Sequence, residues 1–373
     1  MDKKILIIAN IFLILLSACS TPLPVSEYEQ NLSVRTIAQG LQHPWGMAFI
    51  NESAVLVTQR TGTLSLINIP SGDQTTIQGV PEVAVVGQGG LLDVFLEEPY
   101  IYLTYSAPFE TGVTTHLGRG IFENNTIQDF EVLYQAYPAL PGGAHFGSRV
   151  IVQGDYVFFT VGDRGDKNFG TEHVSQNTNN TLGATIRLYK NGSIPQDNPF
   201  VNNQSVRDSI YTFGHRNVQG MTIHPETGEI WQSEHGEQDG DEINILQASG
   251  NYGWPLTHYG CTYGLGRTIG EFAHEKDEII NPVYYWECRS GGFPPAGMTF
   301  YSGERFPEWQ GDLFVGNLAG QYLGHFRIIN DTLEELNPLL ANRGWRIRDV
   351  QESPDGYLYV LQDANPGGLH RLE

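Results

Sequence analysis

Charge is scarce in this chain, and most of it has one sign. Of 373 residues only 17% are Asp, Glu, Lys or Arg, and 42 acidic side chains face 21 basic ones for a formal net charge of -21. So small a basic fraction excludes a phosphate-tracking surface, so no nucleic-acid partner is expected, and it argues against adhesion to anionic lipid. Helical heptads are missing, and no long helix separates the strand-like runs, which excludes parallel crossover folds. Long hydrophobic runs are missing too, except Ile5 to Leu16, which is too short for a permanent bilayer span. There is no Cys-x-x-Cys-His haem attachment, and the three cysteines are Cys19, Cys261 and Cys288.

What the chain does have is turn residues and short apolar runs, with 43 Gly and 20 Pro. Strand-length runs bounded by such residues predict an all-β fold. The start reads as a targeting signal. Lys3 and Lys4 precede the apolar stretch, and Leu16-Ser17-Ala18-Cys19 has the small residues of a lipoprotein cleavage site. Residues 1–18 are then a lipoprotein-type signal peptide, Cys19 carries the lipid, and 19–35 form a flexible tether. An ordinary secretory signal with an incidental Cys is the alternative. Ser20, rather than Asp, fits outer-membrane sorting, so the expected place is the periplasm, with membrane contact only through the lipid on Cys19. In an oxidising compartment Cys261 and Cys288 can pair, or remain two separate buried thiols.

One pattern recurs six times: a polar strand start, an apolar strand, a turn and a second apolar strand. The second strands are Ala54 to Val57, Tyr100 to Leu103, Asp155 to Phe159, Glu229 to Trp231, Asp312 to Val315 and Gly356 to Leu361. Their spacing of roughly 45 to 80 residues suits propeller blades with loop insertions. The predicted fold is a six-bladed β-propeller over residues 36–373, closed through either Leu369-His370-Arg371-Leu372 or Val34-Arg35-Thr36-Ile37.

In a propeller the first strands line the central axis, so their starts converge at one mouth. These starts are Trp45-Gly46, Gln88-Gly89-Gly90, His145-Phe146-Gly147, Arg216-Asn217-Val218-Gln219, Pro295-Ala296-Gly297 and Arg346-Ile347-Arg348-Asp349. The ends of the second strands add Asp163-Arg164, Glu234-His235, Asn317 and Asp363. Single members of this set can serve as hydrogen bonds between blades; the whole set points to chemistry. Imidazole exchanges protons near neutral pH, so His145 is a candidate base and Asp163 its orienting partner. Arg346 and Arg348 lie two apart, on one side of a strand, and with Arg216 they make a cationic patch that suits a polycarboxylate. Gly236 to Asn244 is an acidic loop broken by glycines, and hard oxygen ligands of this kind suit Ca2+.

These residues resemble the soluble quinoprotein glucose and aldose sugar dehydrogenases, which carry pyrroloquinoline quinone (PQQ) and Ca2+ on a six-bladed propeller. The resemblance runs from Leu41-Gln42-His43-Pro44-Trp45-Gly46-Met47 to Asp355-Gly356-Tyr357-Leu358-Tyr359-Val360-Leu361. Its most specific pieces are Gly214-His215-Arg216-Asn217-Val218-Gln219-Gly220, Asp241-Glu242-Ile243-Asn244, Asn251-Tyr252-Gly253-Trp254-Pro255 and Arg346-Ile347-Arg348-Asp349-Val350. It implies oxidation of the anomeric hydroxyl of an aldose to a lactone, with electrons passed to a quinone or another membrane acceptor. It implies that His145 is the general base, Asp163 its partner and Arg216 the group beside the reactive carbonyl. Gln88 matches a position near the sugar. Asn217, Gln219, His235, Arg346, Arg348 and Asp363 fall in the cofactor-binding set. The backbone carbonyls of Gly236 and Glu237 match those that hold the catalytic Ca2+. Glu242 and the Tyr252 carbonyl match a structural Ca2+ site.

Two departures stand out. The calcium loop of the family often has Gly-Pro where this chain has Gly236-Glu237, and Ala319 stands where the family has a cofactor-binding lysine. A non-catalytic propeller that binds saccharide or protein therefore stays open, as does a calcium-dependent lactonase, though the arginines disfavour the latter. Substrate choice is expected to lie in loops such as 107–119 and 257–280.

Overall fold

The computed structural model describes residues 32–373. The signal segment, Cys19 and the tether as far as residue 31 lie outside these residues. Among them six four-stranded sheets are found, with antiparallel pairing throughout and only four short 3-10 turns. The innermost strands are Pro44–Asn51, Leu91–Glu97, Val150–Gln153, Val218–Ile223, Pro295–Phe300 and Ile347–Glu352, which pack in a ring around one axis. This is the six-bladed propeller, and each second strand read from the sequence is the second strand of its blade.

The ring closes by both segments named in the sequence, because they pair with each other. Val34–Leu41 adds to Gly367–Leu372 as the outermost strand of the last blade. The strand thus takes in the last two residues of the expected tether. Ile37, Ala38 and Leu41 are buried there against Tyr359, Leu361 and Leu369. A noncovalent latch of this kind holds the ring shut by apolar burial, about 1.5–3 kcal/mol for each large side chain.

The middle strands are buried on both faces because each blade is stacked between two others. Tyr102 and Leu117 of the second blade pack on Val157, Phe159 and Ile186 of the third, all fully buried. That double burial explains why these strands read as unbroken apolar runs rather than as alternating ones. One expectation changes. Residues 107–119 are not a loop but the upper part of a long hairpin, Tyr100–Phe109 with Gly112–Glu123. Segment 257–280 is largely irregular, as expected.

The axis itself is plugged. Arg149 Nη1 donates to Asp93 Oδ1 at 3.0 Å and to Asp349 Oδ1 at 3.1 Å, and its Nε donates to the Gln219 carbonyl at 3.0 Å. The Met47 N–H donates to Asp349 Oδ2 at 3.1 Å, and the guanidinium lies 4.5 Å from the Trp45 ring centre. Gly46 and Gly297 are needed here, because a Cβ at either would collide with Asp93 or Asp349. Burial raises both carboxyls above their ordinary value, with Arg149 opposing.

Removing Arg149 leaves two carboxylates buried without their cation. Arg149→Met should therefore cost about 3–5 kcal/mol in urea unfolding. The raised folded value of Asp349 also sets a sign. Its contribution to stability is full below the ordinary value of 3.8 and is lost as pH rises through the raised one. Asp349→Asn should flatten that part of the fall in melting temperature.

Candidate functional site

The mouth above the plug is built from strand starts and the loops after the second strands. His145 sits in a tight Gly-rich segment with φ 45°, held by its own N–H, which donates to Gln88 Oε1 at 2.8 Å. Its Nδ1 lies 2.6 Å from Asp163 Oδ1. Asp163 is fully buried and accepts the Trp254 indole N–H at 2.9 Å on its other oxygen and the Gly165 N–H at 2.8 Å. Burial alone would raise its carboxyl. The His145 hydrogen bond, Arg216 and the Gly165 N–H outweigh that and hold it below the ordinary range. In the neutral ring an ionised Asp163 favours the tautomer with its proton on Nδ1, which leaves Nε2 as the acceptor.

Arg216 and Asn217 stand beside this couple. The Asp163 N–H donates to the Arg216 carbonyl at 2.8 Å, and Asn217 Oδ1 accepts the Gly147 N–H at 3.0 Å. The strand start is fixed by Glu234, which takes the His215 ring at 2.8 Å and the Arg216 N–H at 2.8 Å. The Arg216 guanidinium lies 5.2 Å from the Trp254 ring centre.

Arg348 and Arg346 form the second group. Arg348 donates to Gln219 Oε1 at 2.6 Å and to Asp363 Oδ2 at 2.7 Å, while Arg346 approaches the same oxygen at 3.6 Å. Asp363 also meets the His43 ring at 3.0 Å. Gln219 and Asp363 thus orient the arginines. His235 is half-buried and donates from Nε2 to the Pro295 carbonyl at 2.7 Å. Burial and the charges of Arg348, Arg216 and His145 push its imidazole well below the ordinary value, so it stays neutral.

Gly236, Glu242 and Tyr252 line one small space with Glu234, Trp254 and His258. Burial, then Glu234 and Asp241, push the Glu242 carboxyl well above its ordinary value. Asp241 Oδ1 accepts the Gly236 N–H at 3.0 Å and so shapes the loop. Glu237 behaves differently. Its side chain turns to Arg216 Nη2 at 2.6 Å and to Lys167 Nζ at 2.5 and 2.6 Å.

The donor chemistry fits an oxygen-rich anion. Arg216 Nε, Asn217 Nδ2, Asn317 Nδ2 and Arg348 Nε are buried and have no hydrogen-bond partner in the protein. Buried donors left unsatisfied cost about 1–3 kcal/mol each, so carboxylate and carbonyl oxygens belong here. A cation fits beside Glu242, where buried carboxylates crowd. Among the described residues no group of three or more His, Cys, Asp or Glu side chains is arranged to hold a metal. Backbone carbonyls would have to complete the set.

The family model described as glucose / sorbosone dehydrogenase matches residues 41–371. The chain belongs to that family. It is therefore a sugar dehydrogenase by family, an oxidoreductase. An aldose sugar dehydrogenase of Escherichia coli is 36% identical, over 91% of this chain and 92% of the relative. A quinoprotein glucose dehydrogenase B of Acinetobacter calcoaceticus is 30% identical, over 97% of this chain and 92% of the relative. The crystal structure of the soluble Escherichia coli aldose sugar dehydrogenase in its apo form superposes with a TM-score of 0.85, 35% identity and coverage of 92% of this chain and 99% of that one.

Sequence reasoning missed three contributors. Trp254 was visible only as part of a turn beside a cation site, yet its indole N–H holds Asp163. Lys167 and Arg149 lie outside the family pieces read from the sequence, and no local pattern marks them. Cys261 and Cys288 are bridged, with Cα atoms 5.5 Å apart, and Cys261 pairs with Gln238 of the cation loop. Breaking that closed loop with Cys288→Ser should cost about 3.5 kcal/mol by chain entropy. Reversible thermal melts with and without reductant would check it, and the variant should lose its reductant sensitivity.

Proposed function

We propose that this sugar dehydrogenase is a quinoprotein that oxidises the anomeric hydroxyl of aldoses to lactones with PQQ and Ca2+. The observation that carries the reading is the His145–Asp163 couple, set against Arg216 in a mouth of unpaired buried donors. Relatives named as aldose and glucose dehydrogenases support the substrate class, and the quinoprotein name of one supports the cofactor.

His145 Nε2 takes the proton of the anomeric hydroxyl. Asp163 keeps the ring in the tautomer that leaves Nε2 free and stabilises the imidazolium that forms. Trp254 and Gly165 hold the carboxylate of Asp163 in place, so the couple needs little reorganisation. When bound, PQQ supplies the carbonyl carbon that accepts the hydride from the sugar, and Ca2+ polarises that carbonyl. Arg216 offers charge-assisted donors where negative charge develops. Asn217, Arg346 and Arg348 would hold cofactor oxygens, with Gln219 and Asp363 keeping Arg348 in register. Backbone carbonyls of Gly236 and Glu237 would hold one cation, and Glu242 with the Tyr252 carbonyl a second.

A calcium-dependent lactonase needs an axis open to its metal, and here Arg149 fills the axis between two aspartates. The lipid on Cys19, the periplasmic location and a quinone or other membrane electron acceptor complete the proposal. They rest on the signal pattern and on the resemblance.

The test uses the soluble form that begins after Cys19, loaded with PQQ in millimolar Ca2+ and given aldoses with an artificial acceptor. Sugar-dependent dye reduction is expected. His145→Ala should lower kcat by about 100- to 10,000-fold, the usual worth of a general base. Absence of turnover and of PQQ binding in a folded wild-type protein would overturn the reading. Calcium has its own readout. At a hundredfold excess over Kd it should add about 2.7 kcal/mol to stability, and Glu242→Gln should remove most of that gain.

A further inference from the structure

Asp163 holds the ring of His145, but a ring is only as fixed as the backbone that carries it. Residues 142–147 belong to no strand, and Gly142, His145 and Gly147 have positive φ, at 94°, 45° and 64°. A side chain disfavours that region, and such backbone keeps one conformation only where its surroundings overdetermine it.

Arg164, the residue after Asp163, supplies most of that restraint. Its Nε donates to the Ala144 carbonyl at 2.8 Å and its Nη2 to the Gly142 carbonyl at 2.7 Å. Its backbone N–H donates to the His145 carbonyl at 3.3 Å, while the His145 N–H goes to Gln88 Oε1. Nη1 reaches outside the segment, to the Val113 carbonyl of the long hairpin at 2.6 Å. Val113 in turn exchanges both main-chain hydrogen bonds with Leu140, two residues before Gly142. The guanidinium carbon lies 4.0 Å from the Phe146 ring centre.

The shape of this group matters more than its charge. Arg164 is 8% exposed, and the hydrogen bonds of its side chain go to main-chain carbonyls rather than to a carboxylate. Burial pulls its guanidinium down to about 10, with Asp163 opposing, so it remains charged at neutral pH. Acceptors on three sides match the planar fork of a guanidinium. An ammonium, which carries all its donors on one nitrogen, cannot span them. Asp163 meanwhile takes the His145 ring and the Gly165 N–H. Consecutive residues thus hold both the ring and the backbone of His145.

We propose that Arg164 is a positioning residue for His145, fixing the 142–145 backbone so that Nε2 meets the substrate hydroxyl in one place. The inference rests on the general-base reading above. Arg164 acts through the segment it clamps and not on the substrate.

The experiment compares Arg164→Met and Arg164→Lys with the wild type. In the soluble protein without cofactor, hydrogen exchange over 142–147 should be faster in Arg164→Met and unchanged around Arg348. After loading with PQQ and Ca2+, kcat for an aldose should fall about 10- to 100-fold, as for a base displaced by about 1 Å. The sugar KM and the PQQ affinity from fluorescence titration should stay as in the wild type. Arg164→Lys should recover little of the loss, and it carries the same comparisons if Arg164→Met does not fold. In a His145→Ala background Arg164→Met should change the residual turnover little, because the group it positions is gone. An equal loss in that background overturns the inference, as does a wild-type kcat in Arg164→Met or in Arg164→Lys. A loss of PQQ affinity that matches the loss of rate places Arg164 in cofactor binding and overturns it too. In each of these cases the general-base reading stands. If folded wild type shows no turnover, that reading falls and takes the inference with it.

Discussion

Arg149 connects most of the ring. Its guanidinium reaches Asp93 in the second blade, Asp349 in the last and the Gln219 carbonyl in the fourth, and Asp349 in turn takes an N–H from the first. Six blades that point their first strands at one line must bury polar groups there with little water to satisfy them. A single cation shared by two carboxylates answers that constraint, and it does so in a volume so tight that only glycine fits at positions 46 and 297. The plug also fixes where chemistry can occur. It closes the axis, so ligands can approach the arginine cluster only from the mouth, and Gln219 transmits its position to Arg348.

The mouth repeats the same logic at one remove. Each functional side chain is held by a partner from another segment of the chain. Glu234 fixes His215 and Arg216, Trp254 fixes Asp163, Asp163 fixes His145, and Asp363 fixes Arg348. Four donors at the mouth, Arg216 Nε, Asn217 Nδ2, Asn317 Nδ2 and Arg348 Nε, nevertheless remain buried and unpaired. Gathered at one mouth, they suit the oxygens of a ligand.

Much of this was legible from the chain itself. Short apolar runs between turn residues could only be strands, and the six polar strand starts had to meet because a propeller leaves them nowhere else to go. The His145–Asp163 couple and the Arg346–Arg348 pair came from that convergence, and the family pieces around Arg216 and Tyr252 agreed with it. What failed was local. The sequence of residues 107–119 suggests a loop, whereas strand pairing extends that hairpin well beyond its apolar core. Trp254 was read by its neighbour Tyr252, because nothing in a five-residue turn shows which way an indole points.

The sequence by itself determined the class of fold, the number of blades and the identity of the chemical groups, because strand periodicity and residue type are properties of short segments. Tertiary structure alone decided how those groups are paired. That Val34–Leu41 and Gly367–Leu372 both close the ring, that Cys261 meets Cys288, that Arg149 sits between Asp93 and Asp349, and that Glu237 turns from the cation loop to Arg216 and Lys167 are contacts between residues far apart in the chain. Each depends on the closed ring bringing distant segments within a hydrogen bond of each other, and no local pattern encodes that distance.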